Sequence, residues 1–249
     1  MTEPDASPTA SPTARRAWGS LSRAEIVAAA LDIARGEGMA ALTIRRLASE
    51  LGASRMALYR HVEDKEALVD LVLNAIAEHD VVPPDIEDGP WQDRLRRLAA
   101  GIRRELLAYP GMTDVLISRS YHGPGALHLV ETILRVLADA GLDERRSARL
   151  YLVFIDLVLG RLHRELHADP VGHHRNANIV AVAERSDGDH PRLRAVEPYL
   201  RDVSAADVLE AELDMFILAV ETAAEASAKA SAKASGETAA EAVAGRESQ

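Results

Sequence analysis

The sequence predicts an all-α protein, and three observations predict it. Apolar residues make up 47% of the 249 positions while aromatics make up only 4%. A core built from Leu, Ala, Val and Ile without alternating β-branched runs favours helix over strand. Apolar residues recur three and four positions apart along most of the chain, the spacing of one helix face. Many of these stretches open on Ser, Thr or Asp and close on Gly or Pro, the residues that cap and end helices.

The elements follow in order. Residues 1–17 are rich in Pro, Ser, Thr and Ala with almost no large apolar residue, so they read as a disordered tail. Ser22 and Glu25 have capping-box spacing, and Ile26, Ala29, Ala30 and Ile33 follow at helical spacing before Gly36 and Gly38. Thr43 caps a second helix, ended by Gly52. Ser54 caps a short third one through about His61. Asp64 caps a fourth, striped by Leu68, Leu71, Val72 and Ile76. Residues 81–90, VVPPDIEDGP, read as a hinge or linker and as the domain boundary. Further helices are expected at 91–109, 111–118, 124–140, 144–167, 191–201 and 204–226. Residues 168–189 read as a long polar loop, and 227–249 as a low-complexity tail, disordered or the frayed end of a helix.

Composition excludes several classes. No cysteine is present, so there is no disulfide framework or thiolate chemistry. No signal peptide or span of about 20 apolar residues is readable, which points to the cytoplasm and away from a membrane. The net charge is −10, which argues against a sequence-independent nucleic-acid binder. Ser118, Ser120 and His122 lie close together, but no glycine elbow or partner acid marks a nucleophile. No enzyme and no cofactor is expected.

Residues 43–62 read TIRRLASELGASRMALYRHV. Two short helices joined by a tight turn at Gly52 are what a helix-turn-helix requires. Ala53 and Ala57 permit close approach, and Leu47, Leu51 and Leu58 form the packing set. Ser54, Arg55, Met56, Ala57 and Arg60 then face outward on the second helix, the one that reads bases. Ser54, Tyr59, His61 and Lys65 can bond phosphate oxygens. Residues 18–80 hold seven basic and ten acidic side chains, net −3, yet five of the seven bases lie in 45–65 beside three acids. Binding therefore rests on a small basic face of Arg45, Arg46, Arg55, Arg60 and Lys65. Arg15 and Arg16 are either a minor-groove arm or part of a solvated tail.

Residues 22–80 resemble the DNA-binding domain of the tetracycline-repressor (TetR) family through LTIRRLASELGAS and ALYRHVEDKEALVDLV. The resemblance implies a three-helix head over 18–80, a fourth helix joining it to an all-helical ligand and dimerisation domain over 91–226, and a homodimer on a double-stranded DNA operator. By matched position, Arg45, Arg55, Met56 and Ala57 face bases, while Thr43, Tyr59, His61 and Lys65 face the backbone. WQDRLRRLA resembles the start of that family's fifth helix. The positions of the tetracycline binders' polar drug contacts hold Leu98 and Ile102 here, so a ligand other than tetracycline or its magnesium chelate is implied.

An unknown small-molecule effector is expected in a cavity between helices 91–109, 124–140 and 144–167. Its expected contacts are His79, Leu98, Ile102, Leu106, Leu116, Leu134, Phe154 and Leu157. The helices at 144–167 and 204–226 can serve as dimer interface or as internal core; the interface reading names Phe154, Val158, Arg161, Leu162, Phe216, Ile217 and Val220. His163 and His167 lie four apart, followed by His173 and His174. They read as a polar helix edge, with a metal site as the alternative. The function expected is a homodimeric repressor released from its operator by a small molecule. A pure dimerisation or docking module, which would show a filled core, is the alternative, and a helical enzyme is a third reading.

Overall fold

A computed structural model describes residues 21–79, 81–119, 123–166, 173–185, 188 and 190–247. Among them there is no strand. The chain divides into two compact units between Val72 and Leu73. The boundary therefore falls inside the fourth helix rather than at the Pro-rich segment expected to be a hinge.

The first unit holds α1 (Arg23–Glu37), a 3-10 turn (Met39–Ala41), α2 (Ile44–Glu50), α3 (Arg55–Leu58) and the first half of α4 (Lys65–His79). Ser22 caps α1 through the expected box: the Glu25 backbone N–H donates to Ser22 Oγ at 3.2 Å, and the Ser22 N–H donates to Glu25 Oε2 at 2.9 Å. Gly38, at φ 85°, ends α1. Its core is aliphatic: Ile26, Ala30, Leu42, Leu47, Leu58 and Leu68 are all fully buried. Each buried Leu or Ile contributes about 1.5–3 kcal/mol relative to exposure.

The second unit holds the rest of α4, then α5 (Trp91–Ala108), α6 (Met112–Ser118), α7 (Pro124–Asp139), α8 (Glu144–Leu166), α9 (His173–Arg185), α10 (Pro191–Asp202) and α11 (Ala205–Glu247). Helices α5, α6, α7 and α11 all pack against α8, and α5 also packs on α7. Leu95, Leu98, Ile133, Leu137 and Phe154 are completely buried there. Phe154 and Phe216 meet with ring centroids 5.4 Å apart and planes tilted by 46°, a favoured aromatic geometry.

Two expectations about local structure fail, and a third is decided between its alternatives. Residues 173–185, read as loop, form α9. Ala177, Val180 and Ala181 line its face toward α10, a helical stripe that the polar HHRN start hides. Residues past Ala226, read as a disordered tail or the frayed end of a helix, continue α11 to Glu247, as the second of these readings has it. Their Ala content carries helix propensity without any apolar stripe. The 81–90 segment is no hinge: Val81 and Ile86 are buried, and arginines hold its acids. Arg94, with its side chain only 6% exposed, pairs with Glu87 at 2.8 Å and Asp139 at 2.6 Å. Arg97 pairs with Asp85 at 2.8 Å, and Arg135 with Glu87 at 2.5 Å. Replacing Arg94 by Met should lower unfolding free energy by about 1–3 kcal/mol in urea titration, less than for a fully buried pair because both acids keep half their exposure to water. The tail at 1–17, with Arg15 and Arg16, lies outside the described residues.

Candidate functional site

The turn after α2 is built on Gly52, at φ 59°, a left-handed conformation that costs a side-chain-bearing residue about 1 kcal/mol. Within the turn, the Ala53 N–H donates to Ala48 O at 3.0 Å. Thr43 Oγ1 accepts from the Arg46 N–H at 3.1 Å, and Ser54 Oγ accepts from the Ala57 N–H at 3.2 Å. Both hydroxyls thus cap their helices as acceptors and retain an O–H that can donate to a phosphate oxygen. Leu47 and Leu58 are fully buried, whereas Leu51, the third of the expected packing set, is half-buried.

On the outer face Arg45, Ser54, Arg55, Met56, Tyr59, Arg60, His61 and Lys65 are exposed, while Thr43 and Ala57 are half-buried. Met56 is 73% exposed, so its apolar side chain is available to a thymine methyl. Arg46 stands apart from this group. Its Nη2 lies 2.6 Å from Glu37 and its Nη1 2.7 Å from Glu50. Hydrogen bonds to Glu37 and then Glu50 push its pKa further up, and the same bond holds Glu37 below the usual carboxylate range. Arg46 therefore staples α1 to α2. The exposed basic set is Arg45, Arg55, Arg60 and Lys65, one residue smaller than expected. Of the two partners that hold Arg46, Glu50 lies four positions on, a spacing the sequence shows, whereas Glu37 lies nine positions back, beyond any local signal.

A cavity of about 380 Å³ lies within the second unit, inside the size range of small-molecule sites. Leu73, Ile76 and Ala77 of α4 line it, with Ile102 and Leu106 of α5 and Met112 and Leu116 of α6. Helix α7 adds Ala126, Leu129 and Val130; α8 adds Tyr151, Ile155 and Leu159; Val81 and Arg119 complete the wall. Of the expected contacts, Ile102, Leu106 and Leu116 are in the lining. Leu98, Leu134, Phe154 and Leu157 are not, and the side chain of His79 is outside the described residues. The error on α8 is one of face. Phe154, Val158 and Leu162 form a stripe buried in the protein's own core, and the neighbouring stripe of Tyr151, Ile155 and Leu159 meets the cavity. The missed α4 and α6 contributors could have been found from the apolar stripe that α4 carries past Val72.

Two close approaches tie α4 and its exit to this unit. The Gly125 N–H donates to Asn74 Oδ1 at 2.9 Å. A Cβ at Gly125 would stand 2.8 Å from Asn74 O and 2.9 Å from Ala77 Cβ.

The residues expected at a dimer interface are instead internal. Phe154, Val158, Leu162, Phe216, Ile217 and Val220 are each 6% exposed or less, and Arg161 bonds Glu212 through Nε at 2.9 Å. On the outer faces of α8 and α11, by contrast, Leu152, Val153, Met215 and Leu218 are 45–64% exposed. His163 Nδ1 sits 3.1 Å from Asp114 Oδ1. His167, and the side chains of His173 and His174, lie outside the described residues, and no cluster of three metal-ligating side chains occurs among the described ones. Ser118 Oγ donates to Asp114 O at 2.7 Å, while Ser120 and His122 lie outside the described residues.

Two family models match the chain: "Bacterial regulatory proteins, tetR family" over residues 26–72, and "Tetracyclin repressor-like, C-terminal domain" over residues 83–224. The chain belongs to the TetR family. Among curated relatives of this TetR-family protein, the HTH-type transcriptional repressor DrrR1 of Streptomyces coeruleorubidus is 34% identical over 146 residues, 57% of this chain and 53% of that protein. An HTH-type transcriptional regulator of Saccharopolyspora erythraea is 31% identical over 177 residues, 70% of this chain and 73% of that one. The chain thus spans about half the length of the first relative and more of the second. Apo ActR of Streptomyces coelicolor superposes with a TM-score of 0.73 at 24% identity, covering 84% of this chain and 99% of that one. No helix among the described residues is long and apolar enough to cross a membrane.

Proposed function

We propose that this TetR-family protein is a homodimeric transcriptional repressor that reads a two-fold DNA operator and is released by a small molecule. The observation that carries the effector half is the cavity: 380 Å³ of largely apolar space is not what a pure dimerisation or docking module needs. A second ActR structure is described as a complex with actinorhodin, which is consistent with small-molecule control. Helix α4 is one unbroken segment from Lys65 at the head to Leu73, Ile76 and Ala77 in the cavity wall. A ligand that binds the released state more tightly shifts the population toward it, and α4 carries that shift.

The exposed apolar residues Leu152, Val153, Met215 and Leu218 form the proposed dimer face, since single exposed apolar residues are ordinary but a shared patch on two neighbouring helices marks an interaction site. A dimer supplies two heads to a symmetric site.

The head is tested by three substitutions on an identified operator. Arg55→Ala should weaken specific binding by about tenfold or more and relax preference at one base pair. Lys65→Ala should weaken all duplexes alike and flatten the salt dependence by about one counterion. Arg46→Ala should lower the melting temperature of the head and leave the salt slope unchanged. An unchanged operator affinity in Arg55→Ala would refute the base-contact assignment.

A further inference from the structure

We infer that Glu63 holds down the protein's affinity for DNA: its carboxylate stands among the phosphate contacts of the head and repels the backbone of any duplex. The role rests on the DNA-facing reading of the head given above and adds an opposing residue to it. Three acids lie in the stretch 45–65 that carries the basic face, and two of them are held within the protein. Glu50 takes Arg46 Nη1 at 2.7 Å. Asp64 Oδ1 accepts from the Ala67 N–H at 2.7 Å, which caps α4. Glu63 is exposed, and no described residue bonds or pairs with it. Its carboxylate therefore faces outward without a described counter-charge.

Its neighbours fix where that carboxylate sits. Glu63 lies in the connection between α3 and α4, two residues after His61 and two before Lys65, both proposed above to bond phosphate oxygens. The backbone on either side is anchored. The His61 and Val62 N–H groups donate to Leu58 O at 2.8 and 3.0 Å, Val62 is buried, and Asp64 is the cap of α4. Residues two apart are at most about 7 Å from each other along the backbone, inside the roughly 10 Å over which a charge is felt at about 0.1 M salt. A phosphate held by His61 or Lys65 thus comes under the Glu63 charge. Helix stability does not account for an acid at this position, because Asp64 and Glu66 already supply the negative charge that the N-terminus of α4 favours. The consequence is weak attachment to bulk DNA, so that retention on an operator depends on base contacts and on two heads.

Fluorescence anisotropy with the full-length protein provides the test, over a salt series on two duplexes: a site enriched from random DNA and a scrambled duplex of equal length. Glu63→Gln keeps the shape of the side chain and removes its charge. It should bind both duplexes about threefold to tenfold more tightly at about 50 mM salt, and the gain should vanish toward about 500 mM. Asp32→Asn removes the same net charge from an exposed position of α1 and should change either affinity by less than about twofold. The melting temperatures of both variants should stay within about 2 °C of the parent. No gain in Glu63→Gln while Lys65→Ala weakens binding would overturn the role of Glu63 and leave the DNA-facing reading standing. No change in either variant would overturn both. A gain matched by Asp32→Asn would assign the effect to net charge and overturn the role. A change confined to one base pair of the enriched site would mean that Glu63 reads a base, as a carboxylate does at the cytosine amino group, and would overturn it as well.

Discussion

Gly101→Ala is expected to destabilise the protein by about 1–3 kcal/mol or more, as overpacking does in a filled core. Gly101 is buried in the middle of α5, and a Cβ added there would stand 2.2 Å from Val81 O and 3.3 Å from Val81 C. The obstruction is backbone, which cannot rotate aside as the end of a side chain can. Relief requires α5 or the segment after α4 to move. At about 2–4 °C per kcal/mol for a chain of this size, the melting temperature should fall by several degrees. A second readout follows from position. Val81 and Ile102, on either side of this contact, both line the cavity, so the affinity of a cavity ligand should fall as well. Gly36→Ala is the control. Gly36 is an exposed position of α1 with no atom within 4 Å of an added Cβ, so the same change there should stabilise by about 0.5–1 kcal/mol through helix propensity. Calorimetric melting of both variants checks the pair. Equal effects would mean that the α5–Val81 contact is not the constraint described.

Leu218→Glu, combined with Leu152→Glu, is expected to convert the proposed dimer to a folded monomer. Both side chains are about 60% exposed in the single chain, so the substitutions cost the monomer little. In a dimer they would place unpaired carboxylates in an apolar interface, at several kcal/mol each. Sedimentation should show a monomer at micromolar concentration with an unchanged helical spectrum. Operator affinity should fall by a hundredfold or more, because one head alone makes half the contacts. Phe216→Ala provides the contrast. Phe216 is 4% exposed and packed at a tilt against Phe154, and its loss should cost about 3–5 kcal/mol of stability rather than assembly as such.

Much of the head was legible because its signals are local. The Ser22–Glu25 box, the Thr43 and Ser54 caps and the turn at Gly52 each involve residues within a few positions of one another, and each appears where its spacing places it. The tie from Arg46 to Glu37 was not legible, because Glu37 lies in another helix. In the second unit the bounds of α5 to α8 and α10 were readable, α9 and the length of α11 were not, and helix faces were not. Helices α8 and α11 each carry more than one apolar stripe, and a stripe against the core looks like a stripe against a partner until packing assigns them. Phe154 was therefore expected both in the cavity wall and at the interface, and Phe216 at the interface, whereas both are buried within the single chain. The 81–90 segment carried every mark of a linker in its prolines and glycine. Its acids are held by Arg94, Arg97 and Arg135, from α5 and α7, which no reading of the segment alone could anticipate.

The most direct test of the account is selection of bound sites from random duplex DNA by the purified full-length protein, followed by affinity measurement on the enriched site. The account predicts a two-fold symmetric site, bound as a dimer, with preference lost at one symmetric pair of positions in Arg55→Ala and affinity reduced at least tenfold by a small molecule that fills the cavity. Enrichment of no sequence, or of an asymmetric site bound equally well by the Leu152→Glu, Leu218→Glu monomer, would contradict it.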